Sequence, residues 1–301
     1  MTFHINPNSG ATGVCKAVSG SCPFGGSEAH FETAAEARGY FERVNGRLLF
    51  SGEKRSLKSL TTEELFVALF EEAEDAGFDV AIIQKAAEFA KELHVGQFRS
   101  APSWEEKPDY IVHPLRNAIR LIRWGSKDQN VILAGLLHDT VEDCSEKYCI
   151  HQRIEFSDEH EARQILLSKI SEDYGPRVAD IVFKLSNPIA DSDQKQTISL
   201  EKKNQSYSEH VKRSIASDFE VLSAKLSDLH DNAASLIYTN HPERFAQNHR
   251  QALKYSLVIS HFSKELSQSS GVDPELRLNL KNSVELISRR LKVLLESKGS
   301  V

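Results

Sequence analysis

The chain has 301 residues, of which 40% are hydrophobic and 27% charged, with a formal net charge of −6 and a pI near 6.1. That length holds one large domain and a small appendage. The acidity argues against broad nucleic-acid binding, which needs a basic footprint, but leaves room for a positive pocket around a small anionic nucleotide.

Residues 1–65 are expected to form an irregular N-terminal segment of unknown role. The stretch up to Phe31 is rich in Gly, Ser and Pro. A short helix capped by Thr33, with Glu36 three positions on, is predicted to follow. An ordered loop layer or a partner-binding arm is the favoured reading. Structural zinc held by Cys15, Cys22, His30 and His4 is the alternative, because the spacing lacks tight Cys-x-x-Cys pairs.

From residue 66 to 301 the pattern is helical, so an all-α fold is predicted. Val80 to His94 puts Ala81, Ile82, Ala86, Phe89, Ala90 and Leu93 on one face, with Val80 and Ile83 nearby. Similar spacing marks 110–124, 128–139, 160–172, 175–186, 207–237, 242–266 and 275–297. Residues 99–109 read as loop. The stretch 187–198 has no periodicity and reads as a mobile loop suited to gating a substrate. No run approaches the roughly 18 apolar residues of a membrane span, and no secretory segment is expected. Four cysteines, two of them Cys144 and Cys149, fit a reduced cytoplasmic chain.

The most informative pair is His138-Asp139, at the end of the apolar run from Val131. Neighbouring helical residues lie about 100° apart, so both side chains can reach one ion. An imidazole beside a carboxylate suits Mn, Fe, Zn or Mg. Glu142 and Asp143 follow one turn later. His113, before Pro114, and Asp228, on a later apolar-periodic helix, complete a set of two His and two carboxylates. Polar groups converging at the end of a buried helix are costly unless they bind something. The alternative for Glu142 and Asp143 is a solvated helix C-terminus, where acids oppose the helix dipole.

The order His113, His138-Asp139, Asp228 resembles that of the HD metal-dependent phosphohydrolases. The segment from Ala86 through His94 and Gln97 to Arg99 is similar to the opening of the (p)ppGpp hydrolase domain of Rel/SpoT enzymes and small alarmone hydrolases. Tyr110 to Pro114, Leu136 to Asp143 and Lys225 to Asp228 continue the pattern, and Tyr174 to Leu185 resembles the helix leading to the family's substrate loop. The likeness covers roughly residues 78–262. Ser100 stands where many such enzymes carry a basic residue, and Leu229-His230-Asp231-Asn232 keeps the Asn but lacks the usual Arg.

The resemblance implies an HD fold over 66–301 and one Mn²⁺-type ion on His113, His138, Asp139 and Asp228. It makes Glu142 and Asp143 the catalytic acid pair. Arg99 is a phosphate candidate, since a guanidinium matches phosphate oxygens bidentately. Asn232 could reach ribose or phosphate, Tyr207 could stack on a base, and Lys184, Lys195, Lys202 and Lys203 could form a positive rim. The implied reaction is removal of the 3′-pyrophosphate of (p)ppGpp or a related alarmone, as housekeeper or antitoxin, with a homo-oligomer or toxin as conceivable partner. A nucleotidase for another nucleotide and a non-enzymatic binding protein are the alternatives. With no second nucleotide-binding motif, a standalone hydrolase is expected.

Overall fold

The structure, a computed structural model, describes residues 3–5, 12–15, 30–33, 56–100, 107–189, 199–236, 244–269 and 271–296. The chain divides into two compact units, Met1–Leu65 and Phe66–Val301. The helix expected after Thr33 and most of the 187–198 loop lie outside the described residues.

In the first unit, for which an irregular segment is expected, the described residues include three short strands. β1 (Phe3–Ile5) pairs antiparallel with β2 (Thr12–Val14) and with β3 (His30–Phe31), in the order β2-β1-β3. A 3-10 turn follows at Leu57–Ser59. Helix α1 (Thr62–Asp75), of which residues 66–75 belong to the second unit, starts with a reciprocal cap. The Glu64 carboxylate accepts the Thr61 N–H, and the Thr61 hydroxyl accepts the Glu64 N–H.

Most of the remaining described residues are helical: α2 (Val80–Leu93), α3 (Val112–Arg123), α4 (Gln129–Leu137), α5 (Thr140–Gln152), α6 (Glu159–Tyr174), α7 (Pro176–Leu185), α8 (Leu200–Ile215), α9 (Phe219–Ala233), α10 (Phe245–Ser256), α11 (Ile259–Gln268) and α12 (Pro274–Glu296). Side chains of Asp79, Asp128, Asp158, Ser199 and Asp218 accept first-turn N–H groups at the helices they precede. Such caps contribute about 1 kcal/mol each.

At the centre is α4, in which every residue from Val131 to Leu137 is buried. A helix apolar on all sides must be enclosed. It packs against α2, α3, α7 and α9. Gly135 permits the close approach to α3, since a Cβ there would come within 2.9 Å of Leu121 Cδ1.

Three expectations are corrected. On α2, Ile83 and Ala87 are buried while Ala81 is exposed and Ile82 half-buried, so the buried face is rotated from the one expected. The span 207–237 is two helices: Ser217 takes a left-handed φ of 57° and Asp218 caps α9. The span 242–266 likewise divides between α10 and α11.

Candidate metal centre

The ligand pair sits at a junction. α4 ends at Leu137 and α5 begins at Thr140, leaving His138 and Asp139 as the two residues between. The Thr140 hydroxyl donates to the Leu137 carbonyl at 2.6 Å, tying off α4. Asp139 occupies the N-cap position but makes no side-chain cap, so its carboxylate is available to the cluster. Glu142 and Asp143 therefore lie in the first turn of α5. The alternative of a helix C-terminus is overturned, and the dipole favours these acids.

His113 projects from the first turn of α3 and Asp228 from α9. His113, His138 and Asp228 each offer one ligand atom within 4.8 Å of the others. His113 Nε2 is 3.3 Å from Asp228 Oδ1 and 3.5 Å from Asp139 Oδ2. His138 Nε2 is 3.1 Å from Asp139 Oδ2 and 3.8 Å from Asp228 Oδ1.

Two further contacts prepare the imidazoles as ligands. His113 Nδ1 donates to Asp231 Oδ2 at 2.8 Å, and His138 Nδ1 donates to the Gly135 carbonyl at 3.0 Å. Each bond fixes the tautomer that turns an Nε2 lone pair toward the cluster. Among the described residues, buried His138 Nε2 makes no well-aligned hydrogen bond, although Asp139 Oδ2 lies 3.1 Å from it. Two imidazole nitrogens and two carboxylates are a donor set that fits a divalent transition ion.

Asp231 was not singled out by the sequence reading. It is fully buried and also accepts from Arg120 Nη2 at 3.0 Å. Arg120 Nη1 reaches Asn117 Oδ1 and the Ser227 carbonyl. A signal was present: His113, Asn117 and Arg120 recur at i, i+4 and i+7, matched by Ser227 and Asp231 at i and i+4. Two polar stripes on otherwise apolar helices satisfy each other when the helices pack.

Electrostatics follow from burial and pairing. Burial alone would lower the His138 pKa, but Asp139 and Asp228 raise it to about 9. Burial would raise Asp228, yet Lys225, followed by His113 and His138, holds it well below the usual carboxylate range. Lys225 Nζ lies 3.1 Å from Asp228 Oδ2. Asp139 is held low in the same way by His138, and it accepts from the Tyr110 hydroxyl at 2.7 Å. Asp143 goes the other way: burial, then Asp139 and Glu142, push it up to about 7.

The remaining expected residues surround this cluster. Both Glu142 oxygens accept from Asn187, through its backbone N–H at 2.9 Å and its side-chain amide at 3.0 Å. Asn187 opens the stretch expected to gate the substrate, and this residue is fastened to Glu142. Arg99 donates to Asn232 Oδ1 at 2.6 Å and lies 5.4 Å from the Tyr110 ring centroid, while Asn232 donates to Asp228 Oδ1. Tyr207 stands edge-on to Tyr255 with Lys254 Nζ 4.0 Å from its ring centroid. Burial pushes its hydroxyl up to about 12, with Asp228 and Glu142 near enough to contribute.

Of the four lysines expected to form a positive rim, three are described. Lys184 is engaged with Asp180 and Asp218, and Lys195 lies outside the described residues. Lys202 and Lys203 are exposed on α8. Lys225 and Lys254, which do not belong to that expected rim, supply positive charge close to Asp228 and Glu142. A cavity of about 510 Å³ lined by His160, Arg163, Asn187 and Arg213 shares Asn187 with the cluster but none of its four ligand candidates. No helix among the described residues is long and apolar enough to cross a membrane.

Comparison with known proteins agrees with this geometry. Residues 86–255 match the HD domain family. A guanosine-3′,5′-bis(diphosphate) 3′-pyrophosphohydrolase of Aquifex aeolicus is 32% identical over 157 residues, covering 51% of this chain and 18% of that protein. One from Spiroplasma citri is 27% identical over 182 residues, covering 60% of this chain and 20% of the relative. The MESH1 guanosine-3′,5′-bis(diphosphate) 3′-pyrophosphohydrolase of Xenopus tropicalis is 50% identical over 66 residues, covering 22% and 35%. The chain thus spans only about a fifth to a third of the length of these relatives. With half of its residues matched and the His, His-Asp and Asp side chains gathered into one cluster, the chain belongs to the HD domain family.

Proposed function

We propose that the chain is a metal-dependent pyrophosphohydrolase that removes the 3′-pyrophosphate of (p)ppGpp or a related (p)ppApp-type alarmone. The observation that carries this reading is the convergence of His113, His138 and Asp228 around one point, with Asp139 3.1 Å from His138 and the acid pair one turn away. Relatives named for that reaction support it.

In this reading His113, His138, Asp139 and Asp228 hold one divalent ion of the Mn²⁺ type. When bound, such an ion lowers the pKa of water and neutralises phosphate oxygens. Glu142, oriented by Asn187, takes the proton of the attacking water. Water adds at the phosphorus joined to the ribose 3′ oxygen, and that P–O bond breaks. Asp143, whose carboxyl is raised to about 7 by burial and then by Asp139 and Glu142, is protonated in about half of the molecules at neutral pH and supplies that proton to the departing oxygen. Arg99 pairs with phosphate oxygens, Asn232 with ribose or phosphate, and Tyr207 offers a ring to the base.

The test is pyrophosphate release from ppGpp with and without Mn²⁺, for wild type, His138→Ala and Glu142→Ala. Metal-dependent release lost in both variants is expected, with Glu142→Ala still binding metal. Cleavage of GTP or a deoxynucleoside monophosphate as fast as ppGpp would overturn the alarmone reading and favour a general nucleotidase.

A further inference from the structure

The first unit holds a second cluster of metal-ligand side chains, made from different residues and different chemistry. His4 lies on the central strand β1, directly paired with His30 on β3, and Cys15 immediately follows β2. β2 and β3 flank β1 on opposite sides, yet His30 Nε2 and Cys15 Sγ are 3.2 Å apart. Both side chains therefore lean over the central strand on one face of the sheet. The His4 and His30 rings stand edge to face with centroids 6.4 Å apart. One ligand atom from each of His4, Cys15 and His30 lies within 4.8 Å of the other two.

We propose that His4, Cys15 and His30 bind a zinc-type ion that ties the three strands together. Tetrahedral zinc, with Zn–N about 2.0–2.1 Å and Zn–S about 2.3 Å, places neighbouring ligand atoms roughly 3.3–3.6 Å apart. His30 Nε2 and Cys15 Sγ, 3.2 Å apart, already stand near that spacing, and a ligand atom of His4 lies within 4.8 Å of each. A thiolate with two imidazoles selects a borderline-soft ion and disfavours Mg²⁺ or Ca²⁺. Three protein ligands leave a fourth position for water or another side chain. Cys22, grouped with these residues on sequence grounds, lies outside the described residues and is not needed for the assignment.

The sheet itself gives a reason for a cross-link. Its strands have three, three and two residues, and none of the side chains described before Ser56 is buried. Strands that short are marginal without a partner surface or a staple. Metal binding supplies folding free energy directly in such small units.

The experiment uses the full chain loaded with Zn²⁺, and separately with Co²⁺ as a spectroscopic probe. The cluster of His113, His138, Asp139 and Asp228 contains no sulfur, so a thiolate-to-cobalt charge-transfer band does not come from those ligands, and Cys15→Ser separates Cys15 from Cys22, Cys144 and Cys149. Wild type is expected to show the band. Cys15→Ser should lose it, and both Cys15→Ser and His30→Ala should bind one zinc fewer per chain. The double variant His113→Ala/His138→Ala should keep the band and bind one zinc. A wild type without the band overturns the proposal, as does a band that survives Cys15→Ser. Should Cys15→Ser fail to fold, His113→Ala/His138→Ala with Cys144→Ala and Cys149→Ala added decides: the band present supports the site, and its absence overturns it.

Discussion

Asp231→Asn tests how the second layer of the cluster works. The substitution keeps shape and removes charge. In wild type one carboxylate oxygen accepts from His113 Nδ1 at 2.8 Å and the other from Arg120 Nη2 at 3.0 Å, with Asp231 fully buried. An amide has one accepting oxygen, so it can serve His113 or Arg120 but not both. Breaking a buried pair costs about 3–5 kcal/mol. Arg120 keeps its bonds to Asn117 and the Ser227 carbonyl, which places the loss at the lower end, about 3 kcal/mol. At about 2–4 °C per kcal/mol for a unit of this size, the melting temperature should fall by roughly 6–12 °C. With the amide oxygen turned to the charged Arg120, His113 loses its acceptor and no longer presents a fixed lone pair, and metal affinity should drop about 10- to 100-fold. Calorimetric titration with Mn²⁺ and a thermal melt measure the two effects. Pyrophosphate release should recover at higher metal concentration, because Asp231 touches no ligand position of its own. A variant with wild-type metal affinity and an unchanged melt would refute the claim that Asp231 orients His113.

Other expectations follow from the same geometry. Below pH 9 a proton competes for His138 Nε2, since Asp139 and Asp228 raise its pKa to about 9 against the opposing effect of burial. Mn²⁺ affinity should therefore rise with pH, by up to about tenfold per unit, and level off above 9; affinity flat between pH 6 and 8 would contradict this. In metal-free protein the raised pKa stabilises the fold fully below about 6.5 and is lost as the pH rises to 9, so its melting temperature should fall over the window in which metal binding strengthens. Arg99→Lys should raise KM for the alarmone about tenfold with kcat nearly kept, because a lysine cannot hold Asn232 and present a planar fork to phosphate; an unchanged KM would place Arg99 outside the substrate's reach. Gly135→Ala should cost about 1–3 kcal/mol in a thermal melt, since the new methyl meets Leu121 Cδ1 within fully buried packing.

Much of the candidate centre could be read from the chain. The apolar run from Val131 to Leu137 has no polar face, so its burial follows from composition, and a His-Asp pair at its end must lie inside the protein. His113 and Asp228 were legible because each is a ligand-type side chain on another apolar-periodic helix. Asn232 was legible from its offset of one turn after Asp228, and the two bond at 2.6 Å. The break at Thr140 was not legible. Whether a helix continues through His138 depends on a hydroxyl closing on the Leu137 carbonyl, and propensity is blind to that bond.

The sequence by itself determined the helical class, the enclosed central helix and the identity of the ligand candidates, because periodicity and residue chemistry are local properties. Only the tertiary structure decided which polar groups meet. Asp231 reaches His113 across 118 positions, Asn187 reaches Glu142 across 45, and Arg99 reaches Asn232 across 133. The same holds in the first unit, where strand pairing brings His30 to Cys15 across 15 positions. Contacts of this kind are fixed by how helices and strands pack, and a pairing between distant residues leaves no mark on the spacing around either one.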